Sequence, residues 1–231
     1  MMSPTILLFD IDGTLLSAGG AGKRALEQAI SQAVGTAYKL AFSLDGRTDR
    51  AIVRQSLIDL HCSDSDIEKT ITQILDNYVE RLKIELNDTS ACYVYPGILD
   101  VLNFAYAKQN TIALGLGTGN IQRGAKIKLA SVNLDGYFSF GGFGSDHEER
   151  PEIIRIGAMH GAAKLGYDVK TCRVVVIGDT PRDIAAAHTV GAISIAVATG
   201  KYSIEQLQSA GATYAFANLA DANTHKALFE E

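Results

Sequence analysis

The stretch that decides the fold is Thr5-Ile6-Leu7-Leu8-Phe9-Asp10-Ile11-Asp12-Gly13-Thr14. A short continuous apolar run, rich in β-formers, stops at a carboxylate. A strand with one wet face alternates apolar with polar residues. A run without alternation fits a strand buried on both faces, as in a parallel sheet covered by helices. Three later segments read alike: residues 111–116 (TIALGL), 173–177 (RVVVI) and 193–198 (ISIAVA). Helical spacing lies between them, in Leu99, Leu102 and Tyr106, in Ile153, Ile156, Met159 and Ala163, and in Ile184, Ala187 and Val190. Strands alternating with helices predict an α/β doubly wound fold built on a parallel sheet.

Residues 17–88 break the alternation and carry no convincing strand. Leu26, Ala29, Ile30, Ala33 and Val34 mark one amphipathic helix, and Ile52, Val53, Leu57 and Leu60 a second. A third opens on a capping box, Ser65 with Glu68, and runs through Ile67, Ile71, Ile74, Leu75, Tyr78, Val79 and Leu82. So long an all-helical stretch exceeds a simple crossover. It reads as a small helical subdomain at 17–88, inserted after strand one into a core formed by 1–16 and 89–231.

The 231 residues suffice for a real core without disulfide or metal staples. Hydrophobic residues at 47% and charged residues at 20% are the profile of a globular protein. Lys+Arg is 21 against Asp+Glu 26, a formal net charge of -5, which argues against a nucleic-acid partner. A local anion site remains compatible with that charge. Cys62, Cys92 and Cys172 are scattered and odd in number, so a reducing compartment is expected. The N-terminal run has no basic start, and no window is long and apolar enough for a membrane span. A cytoplasmic protein with no membrane partner is the expectation; the oligomeric state is not legible.

In open α/β sheets ligands bind at the carboxyl ends of the strands. Three strand ends here carry polar residues: Asp10-Ile11-Asp12-Gly13-Thr14, then Gly117-Thr118-Gly119-Asn120, then Gly178-Asp179-Thr180-Pro181-Arg182-Asp183. Asp10 and Asp12 are two apart, so an extended strand points them to one side. Two close carboxylates repel unless a cation sits between them or one keeps a proton. Mg²⁺ suits the first option and a general acid the second; a plain Asp-Gly turn also fits. Thr118 and Asn120 suit an anion site or an ordinary helix cap. Asp179 also suits a cap, with Pro181 in a first helical turn. Three such signals at one sheet edge favour a Mg²⁺-dependent phosphate site over coincidental caps.

At these residues the chain resembles the haloacid dehalogenase-like hydrolase superfamily, in particular its phosphoglycolate phosphatase and β-phosphoglucomutase-like branch. The resemblance spans nearly the whole chain and implies a Rossmann-like core with a helical cap. It implies that Asp10 is the nucleophile of an aspartyl-phosphate pathway and that Asp12 protonates the leaving oxygen and then activates water. It assigns Mg²⁺ to Asp10, the Asp12 backbone carbonyl and Asp179, with Asp183 as a further ligand or as a group that orients the ligands, and phosphoryl oxygens to Thr118, Gly119 and Asn120. The third motif departs from the pattern. Where a lysine is expected stands Glu149-Arg150-Pro151-Glu152, so Arg150 supplies the charge, with Lys128 as second candidate. Gly46-Arg47-Thr48-Asp49 resembles a cap loop that meets substrate, which offers Arg47 to a distal anionic group. The implied substrate is a small phosphorylated metabolite, phosphoglycolate-like or a sugar phosphate. The rival readings are a phosphomutase, a pyrophosphatase and a phospho-acceptor protein without turnover.

Other features are set aside. Gly19-Gly20-Ala21-Gly22-Lys23 lacks the glycine at 17 and the hydroxyl at 24 of a P-loop; in this branch its glycines would serve as a hinge. His61, His147, His160, His188 and His225 form no zinc spacing. Asp146-His147-Glu148-Glu149 reads as a solvated acidic loop. Tyr137, Phe138, Phe140 and Phe143 read as a strand or core edge.

Overall fold

The computed structural model of the chain describes residues 3–62 and 66–230. Strand β1 (Thr5–Phe9) is central and buried throughout. Its Leu7 and Phe9 enter the larger of two main apolar clusters, while Ile6 and Leu8 enter the other. Both faces are therefore covered, and the run needs no polar alternation. Five further strands complete the sheet: β4 (Ile112–Thr118), β5 (Gly141–Phe143), β6 (Arg173–Gly178), β7 (Ile193–Val197) and β8 (Tyr214–Phe216). They run parallel in the order β5-β4-β1-β6-β7-β8. The doubly wound α/β expectation is borne out. The short edge strands β5 and β8 were not legible in the sequence, because three residues with glycine or half-exposed aromatics give no strand pattern.

Around the sheet lie α4 (Ile98–Ala107), α5 (Gln122–Ala130), α6 (Arg150–Leu165), α7 (Pro181–Thr189), α8 (Ile204–Ser209) and α9 (Thr224–Phe229). Two helix faces differ from the expected stripe. In α4 the buried residues are Ile98, Val101, Leu102 and Ala105, and Leu99 and Tyr106 are exposed. In α6 the buried face is Ile153, Ile154, Gly157, Ala158, Gly161 and Ala162, with Met159 exposed. Helix α6 lies close against β4 and β5, and its small residues permit that approach while hiding the stripe from a hydropathy reading.

Between β1 and α4 come β2 (Leu16–Ala18), α1 (Ala21–Val34), α2 (Asp49–Asp59), α3 (Ile67–Glu85) and β3 (Cys92–Val94). The three expected helices are present, and β2 and β3 pair antiparallel at the base of the insertion. That small sheet corrects the strand-free reading at the edge of 17–88. Helices α1 and α3 pack on each other through Leu26, Ala29 and Ile30 and through Ile71, Ile74, Tyr78 and Leu82. Ala33 is exposed rather than part of the stripe. Ser65, the expected capping residue, lies outside the described residues; α3 starts after Asp66, and Glu68 pairs with Arg50 and Arg54. Cys62, Cys92 and Cys172 are free thiols. No helix among the described residues is long and apolar enough to cross a membrane.

Candidate active site

Strands β4, β1 and β6 are neighbours, so their carboxyl ends deliver Thr118, Asp10 and Asp179 to one place. Phe9 is level with Leu116 on one side and Ile177 on the other, and the Asp10 N–H donates to the Ile177 carbonyl at 2.9 Å. The chain then leaves the sheet through Gly13 at φ +81°, a left-handed conformation that suits glycine. A cavity of about 320 Å³ opens above, lined by Asp10, Asp12, Asn120, Lys128, Arg150 and Asp179 and, from the insertion, by Lys23, Arg47 and Tyr78.

Carboxylate oxygens of Asp10, Asp179 and Asp183, all buried, lie within 4.8 Å of one another. Burial raises the Asp10 carboxyl above its ordinary value, with Arg150 pulling down and Asp183 pushing up. Asp179 is pushed up to about 8, first by burial and then by Asp183 and Asp10. Three acids this close are under electrostatic strain, which a divalent cation relieves. The donor set is all oxygen, as a hard ion requires. Thr14 Oγ1 donates to Asp179 Oδ1 at 3.0 Å. Asp179 Oδ2 sits where a Cβ on Gly13 or Gly200 would stand, at 2.4 and 1.9 Å, so these glycines form its cradle. The caps considered for these positions are made otherwise. Thr180 caps α7 in a capping box with Asp183, with Pro181 in the first turn. At α5 the N-cap is Ile121, so neither Thr118 nor Asn120 holds that position.

The two candidates for one cationic role fill two different places. Arg150 Nη2 lies 3.0 Å from Asp10 Oδ2 and donates to Asp183 Oδ1 at 2.5 Å and the Gly117 carbonyl at 3.2 Å. Its buried Nε has no partner among the described residues. Lys128 Nζ donates to Asp12 Oδ2 at 2.6 Å and Asn120 Oδ1 at 2.7 Å. Burial opposes the charge on each cation, and the surrounding carboxylates outweigh it and hold both protonated. Asn120 Nδ2 donates to Asp12 Oδ2 and to Thr118 Oγ1, both at 2.9 Å, and Thr118 hydrogen-bonds Asp10. Asp10 and Asp12 are thus each served by a separate cation. The Asp12 side chain, 46% exposed, stands apart from the acidic trio.

Arg47 reaches the cavity with its guanidinium 5.2 Å from the Phe42 ring centre. Asp49, quoted with it in the sequence but given no role, is buried and pushed up to about 6, first by burial, with Lys128 and the Ile121 N–H pulling down. Tyr78, read only as helix stripe, hydrogen-bonds Lys128. Glu148 is not simply solvated: it takes Arg54 at 2.6 Å and Arg50 at 3.5 Å, joining α2 to the loop before α6. Phe143 is buried in β5, as its strand-edge reading requires.

The profile described as haloacid dehalogenase-like hydrolase matches residues 7–197. The chain belongs to the haloacid dehalogenase-like hydrolase family. No curated protein sequence matches it. Among solved structures, a variant of CbbY from Rhodobacter sphaeroides in complex with xylulose-(1,5)-bisphosphate superposes with TM-score 0.74 at 20% identity, over 99% of this chain and 100% of that one. A hydrolase from Pseudomonas syringae gives 0.68 at 20%, over 96% and 97%. A predicted phosphatase from Clostridium acetobutylicum gives 0.68 at 22%, over 98% of both chains. At these identities the likeness establishes a shared fold spanning whole chains.

Proposed function

We propose that this hydrolase is a Mg²⁺-dependent phosphatase acting on a small phosphomonoester through an aspartyl-phosphate on Asp10. The observation that carries the reading is the floor of the cavity, where a buried carboxylate meets both a guanidinium and two further acids. Asp10 attacks phosphorus in line with the leaving oxygen. Arg150, anchored through Nη2 on Asp10 and Asp183, has its remaining N–H groups for equatorial oxygens. Thr118 and the backbone at Gly119 hold the same oxygens. Asp12, half-exposed and oriented by Lys128 and Asn120, protonates the leaving group and then takes a proton from water. Asp10 and Asp179 would hold Mg²⁺, with the Asp12 backbone carbonyl. Both Asp183 oxygens are engaged by Arg150 and Thr180, which suits an orienting role around the metal. The ion would neutralise charge on the transferring phosphoryl group.

The small cavity fits a compact metabolite. Arg47, with no carboxylate partner among the described residues, suits a second anionic group on it; the bisphosphate bound by CbbY has the same two-anion character. The test is steady-state phosphate release from p-nitrophenyl phosphate and a panel of phosphorylated acids and sugars. Mg²⁺-dependent release from at least one is expected. Return of the phosphoryl group to a sugar phosphate without release would support a mutase instead, and the absence of both would refute the reading.

A further inference from the structure

We infer that Asp49 is a positioning residue: it ties the helical insertion to the phosphoryl-binding loop and holds Asn120, and through it Asp12, in working geometry. The functional part of this inference rests on the phosphatase reading above; the tether itself does not.

Asp49 opens α2 yet bonds across to the core. Its backbone N–H donates to the Gly119 carbonyl at 2.9 Å, and its Oδ2 accepts the Ile121 N–H at 2.8 Å. The two bonds bracket Asn120. The Ile121 N–H is one of the first N–H groups of α5, which have no partner within the helix, and the next one, of Gln122, is taken by Ser145 Oγ at 3.2 Å. A carboxylate 72 positions away accepts the N-cap N–H, the bond that a Glu or Gln at the third helical position makes in a capping box. The α2 terminus is capped separately by Thr48, whose Oγ1 accepts the Ala51 N–H, so the Asp49 carboxylate is free of that duty. The approach is close: a Cβ on Gly119 would fall 2.3 Å from the Arg47 carbonyl oxygen. Between the bracketed ends, Asn120 donates to Asp12 and Thr118 and accepts Lys128. A carboxylate on the insertion is thus two hydrogen bonds from the acid–base group, and docking of the insertion and ordering of the loop are one event.

Arg54 provides an internal control. It lies on α2 of the insertion and also reaches the core, but its core partner is Glu148, away from residues 118–121, and it does not line the cavity. The full-length wild type, Asp49→Ala, Asp49→Asn and Arg54→Ala are compared in two assays. The first is amide exchange at Ile121. Asp49→Ala is expected to lose protection there, and Asp49→Asn, which keeps an acceptor oxygen, to retain it. The second is turnover of p-nitrophenyl phosphate with Mg²⁺, well below each variant's Tm. Asp49→Ala is expected to lose about ten- to hundredfold in kcat with KM changed less than threefold. Asp49→Asn is expected to recover most of that loss, and Arg54→Ala to stay within threefold of wild type. A purely structural role would lower Tm and leave kcat intact. Should Asp49→Ala not fold, Asp49→Asn against wild type decides, through Ile121 protection and kcat. The inference is overturned if Ile121 is unprotected in wild type, if Asp49→Ala keeps wild-type kcat, or if Asn and Ala variants are equally impaired. Absence of any wild-type turnover would sink the phosphatase reading instead, while the exchange result would still report on the tether.

Discussion

Replacing Lys128 with methionine isolates the group that orients the proposed acid–base residue. Methionine keeps the unbranched stem, so packing beside Tyr78 and Gly22 is largely preserved. The ammonium is lost, and with it donors to Asp12 at 2.6 Å and Asn120 at 2.7 Å. Asn120 is 6% exposed, so water does not replace the donor to its Oδ1, and the cost there is about 1–3 kcal/mol. Asp12 is 46% exposed, so the lost pair is screened and contributes about 1 kcal/mol. Together that is about 2–4 kcal/mol, a fall of about 30- to 1000-fold in kcat/KM if both groups serve the transition state. The assay is phosphate release at saturating Mg²⁺ from p-nitrophenyl phosphate and from an alkyl phosphate. The alkyl ester, which needs the acid more, is expected to suffer more, and Asn120→Ala is expected to show the same leaving-group bias. A loss under threefold on both esters, in a variant with wild-type Tm, would refute the reasoning.

Three further outcomes are expected. Asp12→Asn lowers turnover of alkyl phosphates more than of p-nitrophenyl phosphate, and parallel Brønsted plots for variant and wild type would deny it an acid role. Gly200→Ala, whose Cβ would meet Asp179 Oδ2 at 1.9 Å, weakens Mn²⁺ binding about tenfold or more by calorimetry, while Gly136→Ala, with open space around it, leaves it unchanged. Glu27→Gln lowers stability near pH 7 by about 1 kcal/mol. Burial alone would raise the Glu27 carboxyl, but hydrogen bonds from Lys39 and the Leu40 N–H outweigh it and hold it below the ordinary glutamate value. A depressed carboxyl stabilises the fold above its unfolded pKa and loses that contribution as pH falls through its folded one. The difference between variant and wild type in urea unfolding is therefore expected to vanish toward acid pH.

The central sheet was legible because four of its strands are apolar runs ending in polar residues, and a parallel order brings those ends together. Asp10, Thr118 and Asp179 needed no further information once β4, β1 and β6 were neighbours. The helix face of α6 differs from its apolar stripe because a helix set against a sheet needs smallness at Gly157, Ala158 and Gly161, and that of α4 because apolar residues stand on both its faces, with Ile98 and Leu102 buried and Leu99 and Tyr106 exposed. Arg150 and Lys128 appeared as rivals because charge type alone does not say which carboxylate each reaches; only the placement of α6 and α5 separates them. Asp49 was hidden for a related reason. Its partner is a backbone N–H of Ile121, and nothing in the identity of Ile121 announces a terminus in need of a cap.

The account stands on covalent transfer to one side chain. The direct measurement is rapid acid quench during turnover, followed by peptide mass spectrometry. A phosphoryl group on Asp10 that forms and decays with turnover, and is missing from Asp10→Asn, is the predicted result. Steady phosphate release with no phosphoryl group on the protein, or with the group on another residue, would contradict it.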